Sequence, residues 1–128
     1  MKLLLDTCTF YWLNSSPAHL PERVRRLCVD EGNQLFLSAV SAWEIAVKHS
    51  RGKLPLPVSP QEYITNSRAA NGIISIRFRE DDAFHLSKLP AIHKDPFDRM
   101  LICQAIARGL TILTPDQNIA KYPVLTTW

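Results

Sequence analysis

A layered α/β domain on a parallel sheet is the fold this sequence predicts, and three observations point to it. Short apolar runs recur at Leu3-Leu4-Leu5, Leu35-Phe36-Leu37, Ile73–Ile76 and Leu110–Leu113. Stretches with helical spacing and helix-boundary residues separate them. Short apolar strands alternating with helices imply a parallel sheet covered on both faces. The length of 128 residues fits one domain over 1–128 and allows a core without disulfide support.

The elements follow in order. Lys2–Leu5 reads as a buried strand closed by Asp6, and Thr7–Leu13, apolar and aromatic, as the first helix. Asn14-Ser15-Ser16-Pro17 predicts a loop. Pro21–Glu31 predicts a helix with Pro21 in its first turn and Gly32 at the C′ position; Val24, Leu27 and Cys28 share one face. Leu35–Leu37 is the second strand. Ser41 then opens a helix, because Ser41-x-x-Glu44 has capping-box spacing, and Gly52 stops it. After the proline-broken Leu54–Pro57, Ser59-Pro60-Gln61-Glu62 starts a helix that ends near Asn71-Gly72. Ile73–Ile76 is the third strand, and Asp81–Lys88 a short helix. Asp95-Pro96-Phe97-Asp98 begins another helix, whose Met100–Ala107 part is apolar almost all round and must be buried against the sheet or a partner. Gly109 ends it. Leu110–Leu113 is the fourth strand, Asn118–Lys121 one helical turn, and Val124-Leu125 a short fifth strand.

Composition narrows the function. Hydrophobic residues make up 46%, which excludes a disordered chain. A net charge of +3 does not by itself establish a polyanion partner. The basic residues gather at Arg23, Arg25 and Arg26, at Lys48, His49, Arg51 and Lys53, and at Arg77 and Arg79; each group suits phosphates or a solvated face equally well. Cys8, Cys28 and Cys103 form no CxxC pair, which argues against a disulfide framework or zinc site and predicts small buried residues in a reducing cytosol. The Leu3-Leu4-Leu5 run is too short for a signal peptide, and no stretch approaches the roughly 20 residues of a membrane span. A soluble, cytoplasmic protein is expected.

The acidic residues carry the chemistry. Asp6 and Asp116 each lie just past a strand's C-terminal end; Glu44, Asp95 and Asp98 lie in the opening turns of helices. Each also has a structural reading. Asp6 and Asp95 suit N-caps, Glu44 suits a capping box or a pair with Lys48, Asp98 suits the helix dipole, and Asp116 suits a turn after Pro115. Together they are harder to explain so. The C-terminal strand edge of a parallel sheet is one place in space, and ligands bind there where the strand order reverses. Carboxylates gathered at one point repel unless protonated or neutralised by a cation. An oxygen-only set selects Mg²⁺ or Mn²⁺, and His19, His49, His85 and His93 show no zinc-type spacing. Such a site suits phosphodiester cleavage, with the cation activating water and offsetting phosphate charge. No G-x-S-x-G, P-loop or G-x-G-x-x-G occurs.

The motifs resemble the PIN-domain ribonucleases, specifically the VapC-like toxins of toxin–antitoxin pairs. They are Leu3-Leu4-Leu5-Asp6-Thr7, Ser38–Ala46 with its Trp43-Glu44 pair, Gly52-Lys53-Leu54-Pro55-Leu56, His93–Ile102 with Asp95-Pro96-Phe97-Asp98-Arg99, and Leu113-Thr114-Pro115-Asp116. They stand in family order along nearly the whole chain. The resemblance implies a PIN-like three-layer domain with a parallel sheet of four or five strands and helices on both faces. It implies an endoribonuclease that binds Mg²⁺ or Mn²⁺ through Asp6, Glu44, Asp98 and Asp116, with Asp95 secondary and the Thr7 hydroxyl orienting ligands. It also implies a homodimer and a small antitoxin that blocks the site. Lys48, Arg51 and Arg99 are expected near the site edge as contacts to RNA phosphates. Pro115 departs from the basic or small polar residue common there; it removes an N–H, stiffens the turn and bears on the placement of Asp116.

Rival readings fit less well. A haloacid-dehalogenase-type phosphatase would need a second aspartate where Cys8 stands, and a receiver domain an aspartate where Arg77 follows the third strand. A non-catalytic PIN-like module that only binds RNA or protein would not need the full set of acids. A DNA nuclease would share the same chemistry.

Overall fold

A computed structural model describes residues 1–128. The three leucines of strand β1 (Lys2–Leu5) are wholly shielded from solvent. Side chains alternate across a strand, so Leu3 and Leu5 enter one core and Leu4 the other. β1 is therefore the middle of the molecule. It pairs in parallel with β2 (Gln34–Ser38), Leu3 opposite Leu35, and with β4 (Thr111–Leu113), Leu4 opposite Ile112. β3 (Ile74–Ile76) and β5 (Thr126–Thr127) complete a five-stranded parallel sheet in the order β3-β2-β1-β4-β5.

Helices cover both faces. On one side Leu3 and Leu5 meet Phe10 of α1 (Thr7–Ser15), Val24 of α2 (Glu22–Val29) and Tyr63 of α4 (Pro60–Asn71). On the other, Leu4 meets Leu101, Ile102 and Ala105 of α6 (Pro96–Arg108) and Ile119 of α7 (Gln117–Ala120). Helix α3 (Ala39–Ser50) contributes to both, Ile45 to the first core and Val40 to the second. The apolar run expected in α6 is consumed within the chain, since Leu101–Ala105 are all buried. Gly72 and Gly109 end α4 and α6 in the left-handed conformation that a Cβ disfavours.

Four local expectations need correction. The helix after β2 begins at Ala39, not Ser41, because the strand runs directly into it and the Ser38 hydroxyl accepts from the Val40 N–H. Ser41, buried, serves the site instead. Helix α2 stops at Val29, and Gly32 is no C′ residue. Asp30 Oδ1 takes the Gly32 N–H at 2.8 Å, a local turn that competes with the helix. The fifth strand lies at Thr126–Thr127 rather than Val124-Leu125. The Val124 N–H closes a turn onto Tyr122 around Pro123, so only the Leu125 carbonyl reaches Ile112. The Asp81–Lys88 helix is one α turn, α5 (Glu80–Ala83), followed by a 3₁₀ stretch (Phe84–Lys88). Among the cysteines only Cys103 is buried; Cys28 is half-buried and Cys8 is exposed.

Candidate active site

The strand order makes the site. From β1 the chain moves outward to β2 and β3, then returns to the other flank of β1 as β4. The sequence direction reverses between β1 and β4, and crevices open at such points beyond the strand C-termini. Asp6 follows β1 and Asp116 follows β4 by three residues. A cleft of about 370 Å³ lies there, and Asp6, Glu44, Asp95, Asp98 and Asp116 all line it.

Each acid is held by its local structure. Asp6 is the N-cap of α1: its Oδ1 accepts from the Thr9 N–H at 2.7 Å. The Thr114 hydroxyl donates to its Oδ2 at 2.5 Å. The same hydroxyl oxygen accepts the Asp116 N–H at 3.0 Å, so Thr114 joins the two acids across the switch point. Asp116 in turn caps α7 by accepting from the Asn118 N–H, and Pro115 does not prevent this. Glu44, on the buried side of α3, lies 2.7 Å from Thr7 Oγ1, which is 3.0 Å from Ser41 Oγ. A hydroxyl has one proton, so Thr7 gives it to the carboxylate and Ser41 supplies the other contact. The second Glu44 oxygen pairs with the Lys48 ammonium one turn on. Asp95 caps α6, its Oδ1 accepting from the N–H groups of Phe97 and Asp98. Asp98 is thereby freed from capping, and its Oδ2 meets His93 Nε2 at 2.9 Å.

Electrostatics follow from burial and crowding. Burial pushes Asp6 above the usual carboxylate range, hydrogen bonds from Thr114 and Thr9 partly offset this, and Asp116 adds to it. Burial, then the charge of Asp95, pushes Asp98 up to about 6; Glu44 and Asp116 add to this, while the His93 hydrogen bond opposes. Burial draws Lys48 down, but the hydrogen bond and charge of Glu44 outweigh it and leave the ammonium more firmly protonated than usual. Five carboxylates thus face one ammonium and one imidazole. The donor set fits a hard divalent cation, and ligand atoms of His93, Asp98 and Asp116 already lie within 4.8 Å of one another.

Placement of the other candidates differs. Thr7 and Lys48 line the cleft. Arg51 caps the C-terminal end of α3, exposed and outside the cleft lining. Arg99 lies elsewhere, lining an apolar hollow of about 250 Å³ with Phe78, Leu86 and Met100, because successive residues of a helix project about 100° apart. Four residues at the site escaped the sequence reading: His93, Thr114, Cys8 and Trp12, the last two also lining the cleft. The only sequence signal was their position inside or beside the motifs; no spacing rule identifies them.

A parallel α/β domain with an acid-lined cleft at its switch point is the class that fold and site define. The PIN domain family model matches residues 3–125, and the chain belongs to that family. Comparison with curated protein sequences returns no match. Among solved structures, the chain is similar to VapBC2 from Rickettsia felis bound to a promoter DNA fragment, at 17% identity and TM-score 0.75, covering 99% of this chain and 98% of that one. It is also similar to DNA-bound VapBC from Salmonella typhimurium, at 17% identity and TM-score 0.70, covering 99% and 97%. VapBC-1 from nontypeable Haemophilus influenzae follows at 18% identity and TM-score 0.63, again covering 99% and 97%. At these identities the likeness is one of fold. No helix is long and apolar enough to cross a membrane.

Proposed function

We propose that this protein is a metal-dependent endoribonuclease and the toxin of a toxin–antitoxin pair. The observation that carries the reading is the convergence of Asp6, Glu44, Asp95, Asp98 and Asp116, from four separate segments, on one cleft at the switch point of a PIN domain. Asp6, Asp98 and Asp116, with Glu44 behind Lys48, would hold Mg²⁺ or Mn²⁺, and Asp95, an extra acid beside Asp98 in the family pattern, is secondary. When bound, the cation supplies Lewis acidity and offsets negative charge at a phosphodiester.

The chain's own groups do the rest. Thr114 and Thr7 fix the rotamers of Asp6 and Glu44. His93 Nε2, 2.9 Å from Asp98 Oδ2, orients that carboxylate toward the cleft. Lys48 is the cation within reach of a phosphate oxygen in the cleft; Arg51, one turn further along α3, suits a neighbouring phosphate. A small antitoxin and a second copy of the chain belong to the same proposal. The apolar face of α6 gives the dimer no separate support, being used inside the chain.

The test is cleavage of a mixed RNA pool by purified protein with Mn²⁺ or Mg²⁺, alongside EDTA, Asp98→Asn and a matched DNA pool. Endonucleolytic products from RNA, lost with EDTA and in the variant, are expected. Cutting that persists in folded Asp98→Asn protein would discard the site. Preferential cutting of DNA would move the reading to a DNA nuclease, and a folded protein that cuts neither and binds no cation would be a non-catalytic module.

A further inference from the structure

Trp12 is the one large aromatic side chain that lines the acidic cleft. It does not stand alone. The His19 imidazole, exposed in the 3₁₀ turn Pro17–His19, stacks on it with ring centroids 5.4 Å apart and planes 10° from parallel. Trp128 meets it edge-on at 6.3 Å and 60°. Arg23, on the exposed side of α2, then holds Trp128: its Nη1 donates to the Trp128 carbonyl at 2.5 Å and its Nη2 to Thr127 Oγ1 at 3.2 Å. Trp12 thus carries His19 on its face at the cleft and is tied through Trp128 to the cationic helix α2. Arg25, exposed and without an acidic partner, continues the charge on that helix, whereas Arg26 is neutralised by Glu22.

We propose that Trp12 and His19 form a base-stacking subsite for single-stranded RNA, and that Arg25 receives the phosphate beyond it. The proposal rests on the nuclease reading and adds to it a subsite: the base next to the phosphate in the cleft is splayed onto the stacked pair of rings. The chemistry favours this occupant. A cleft of carboxylates repels RNA until a cation is present, so affinity must come from elsewhere. Aromatic faces bind any base, and arginines beside them track the backbone. A duplex keeps its bases stacked inside and offers none to a side wall. Trp12 and Trp128 both touch the core beneath, whereas the His19 ring is exposed and outside the core, so the stacked pair presents an aromatic surface to solvent.

The experiment measures affinity for a short, fluorescein-labelled single-stranded oligoribonucleotide by anisotropy in Ca²⁺, a hard cation that takes the same oxygen ligands and polarises bound water less than Mg²⁺ does. Trp12→Leu keeps apolar bulk over the core and removes the indole; Trp12→Phe keeps a ring; His19→Ala removes an exposed ring that the core does not need. We expect Trp12→Leu to weaken binding about five- to a hundredfold, Trp12→Phe to restore the larger part, and His19→Ala to fall between. The slope of affinity with salt should stay the same in all three, since stacking neutralises no phosphate, and should fall in Arg25→Ala. Folded Trp12→Leu and His19→Ala proteins that bind like the unaltered chain would overturn the subsite. If Trp12→Leu does not fold, unchanged affinity in His19→Ala overturns it. Should RNA cleavage still depend on Asp98 in that case, the nuclease reading stands and only the subsite falls; a chain that binds no RNA at all brings down both.

Discussion

Asp6 has two structural tasks, and the chemical one proposed for it separates from them by substitution. Asn caps a helix as well as Asp does, so Asp6→Asn keeps the Thr9 hydrogen bond while removing the charge. Cleavage should fall roughly a hundredfold or more, the scale of several kcal/mol of lost charge stabilisation, with the circular dichroism spectrum unchanged. Full activity in that folded variant would remove Asp6 from the site. Thr114 tests positioning rather than chemistry. Thr114→Val keeps the shape but withdraws the donor to Asp6 and the acceptor for the Asp116 N–H. A loss of about 10–100-fold in activity or metal affinity follows, with about 1–3 kcal/mol of stability for the buried groups left without partners. Metal titration by calorimetry checks it; unchanged affinity would mean Asp6 and Asp116 hold their places unaided. The acids were legible from sequence because their positions, next to strand ends, can be read along the chain. Thr114 and His93 were not, because their roles exist only across contacts to residues that the chain order does not make neighbours.

Helices enter the site through their first turns, and this explains why caps and candidate ligands coincide. Asp6, Asp95 and Asp116 cap α1, α6 and α7, and in α6 the capping by Asp95 leaves Asp98 to face the cleft. The far end of α6 is anchored differently. Arg108 grips buried Asp82 of α5 through both carboxylate oxygens, at 3.0 and 3.2 Å, while the Arg79 N–H donates to one of them. Removing one partner strands the other charge in the interior. Arg108→Met should cost about 3–5 kcal/mol in urea unfolding, and adding Asp82→Asn should recover a good part of that. A cost below about 1 kcal/mol would show that the pair is solvated in solution. α5 itself was half legible: a short helix was expected over Asp81–Lys88, but the change to 3₁₀ geometry at Phe84 comes where the segment packs on α6.

For the molecule as a whole, gathered carboxylates oppose folding unless a proton or a cation joins them. Asp98 titrates near 6 in the folded chain against a reference of 3.8, so the folded state binds more protons between those values. Its stabilising contribution is full below 3.8 and is lost as pH rises through about 6; the upper bound is about 3 kcal/mol. Asp6, also raised by burial, acts in the same direction. Metal-free protein should therefore melt at lower temperature as pH rises across this window, Asp98→Asn should flatten the curve, and Mn²⁺ should restore stability most at the upper end. A melting temperature that does not fall with pH in EDTA would contradict the crowded site. Local chemistry along the chain determined much of this molecule. Apolar runs of strand length, glycines at helix ends, Ser59 and Asp95 at helix starts, and acids beside strand termini specify their elements through neighbours a few residues away. The tertiary structure decided the rest. It set the order β3-β2-β1-β4-β5 that brings Asp6 beside Asp116, turned Arg99 away from the cleft, assigned Ser41 to Thr7 rather than to a cap, and laid Trp12 against His19 at its rim. The physical reason is the same in each case: these contacts are chosen by which apolar faces must be buried together across the sheet, a condition the whole chain satisfies at once and no short stretch of it encodes.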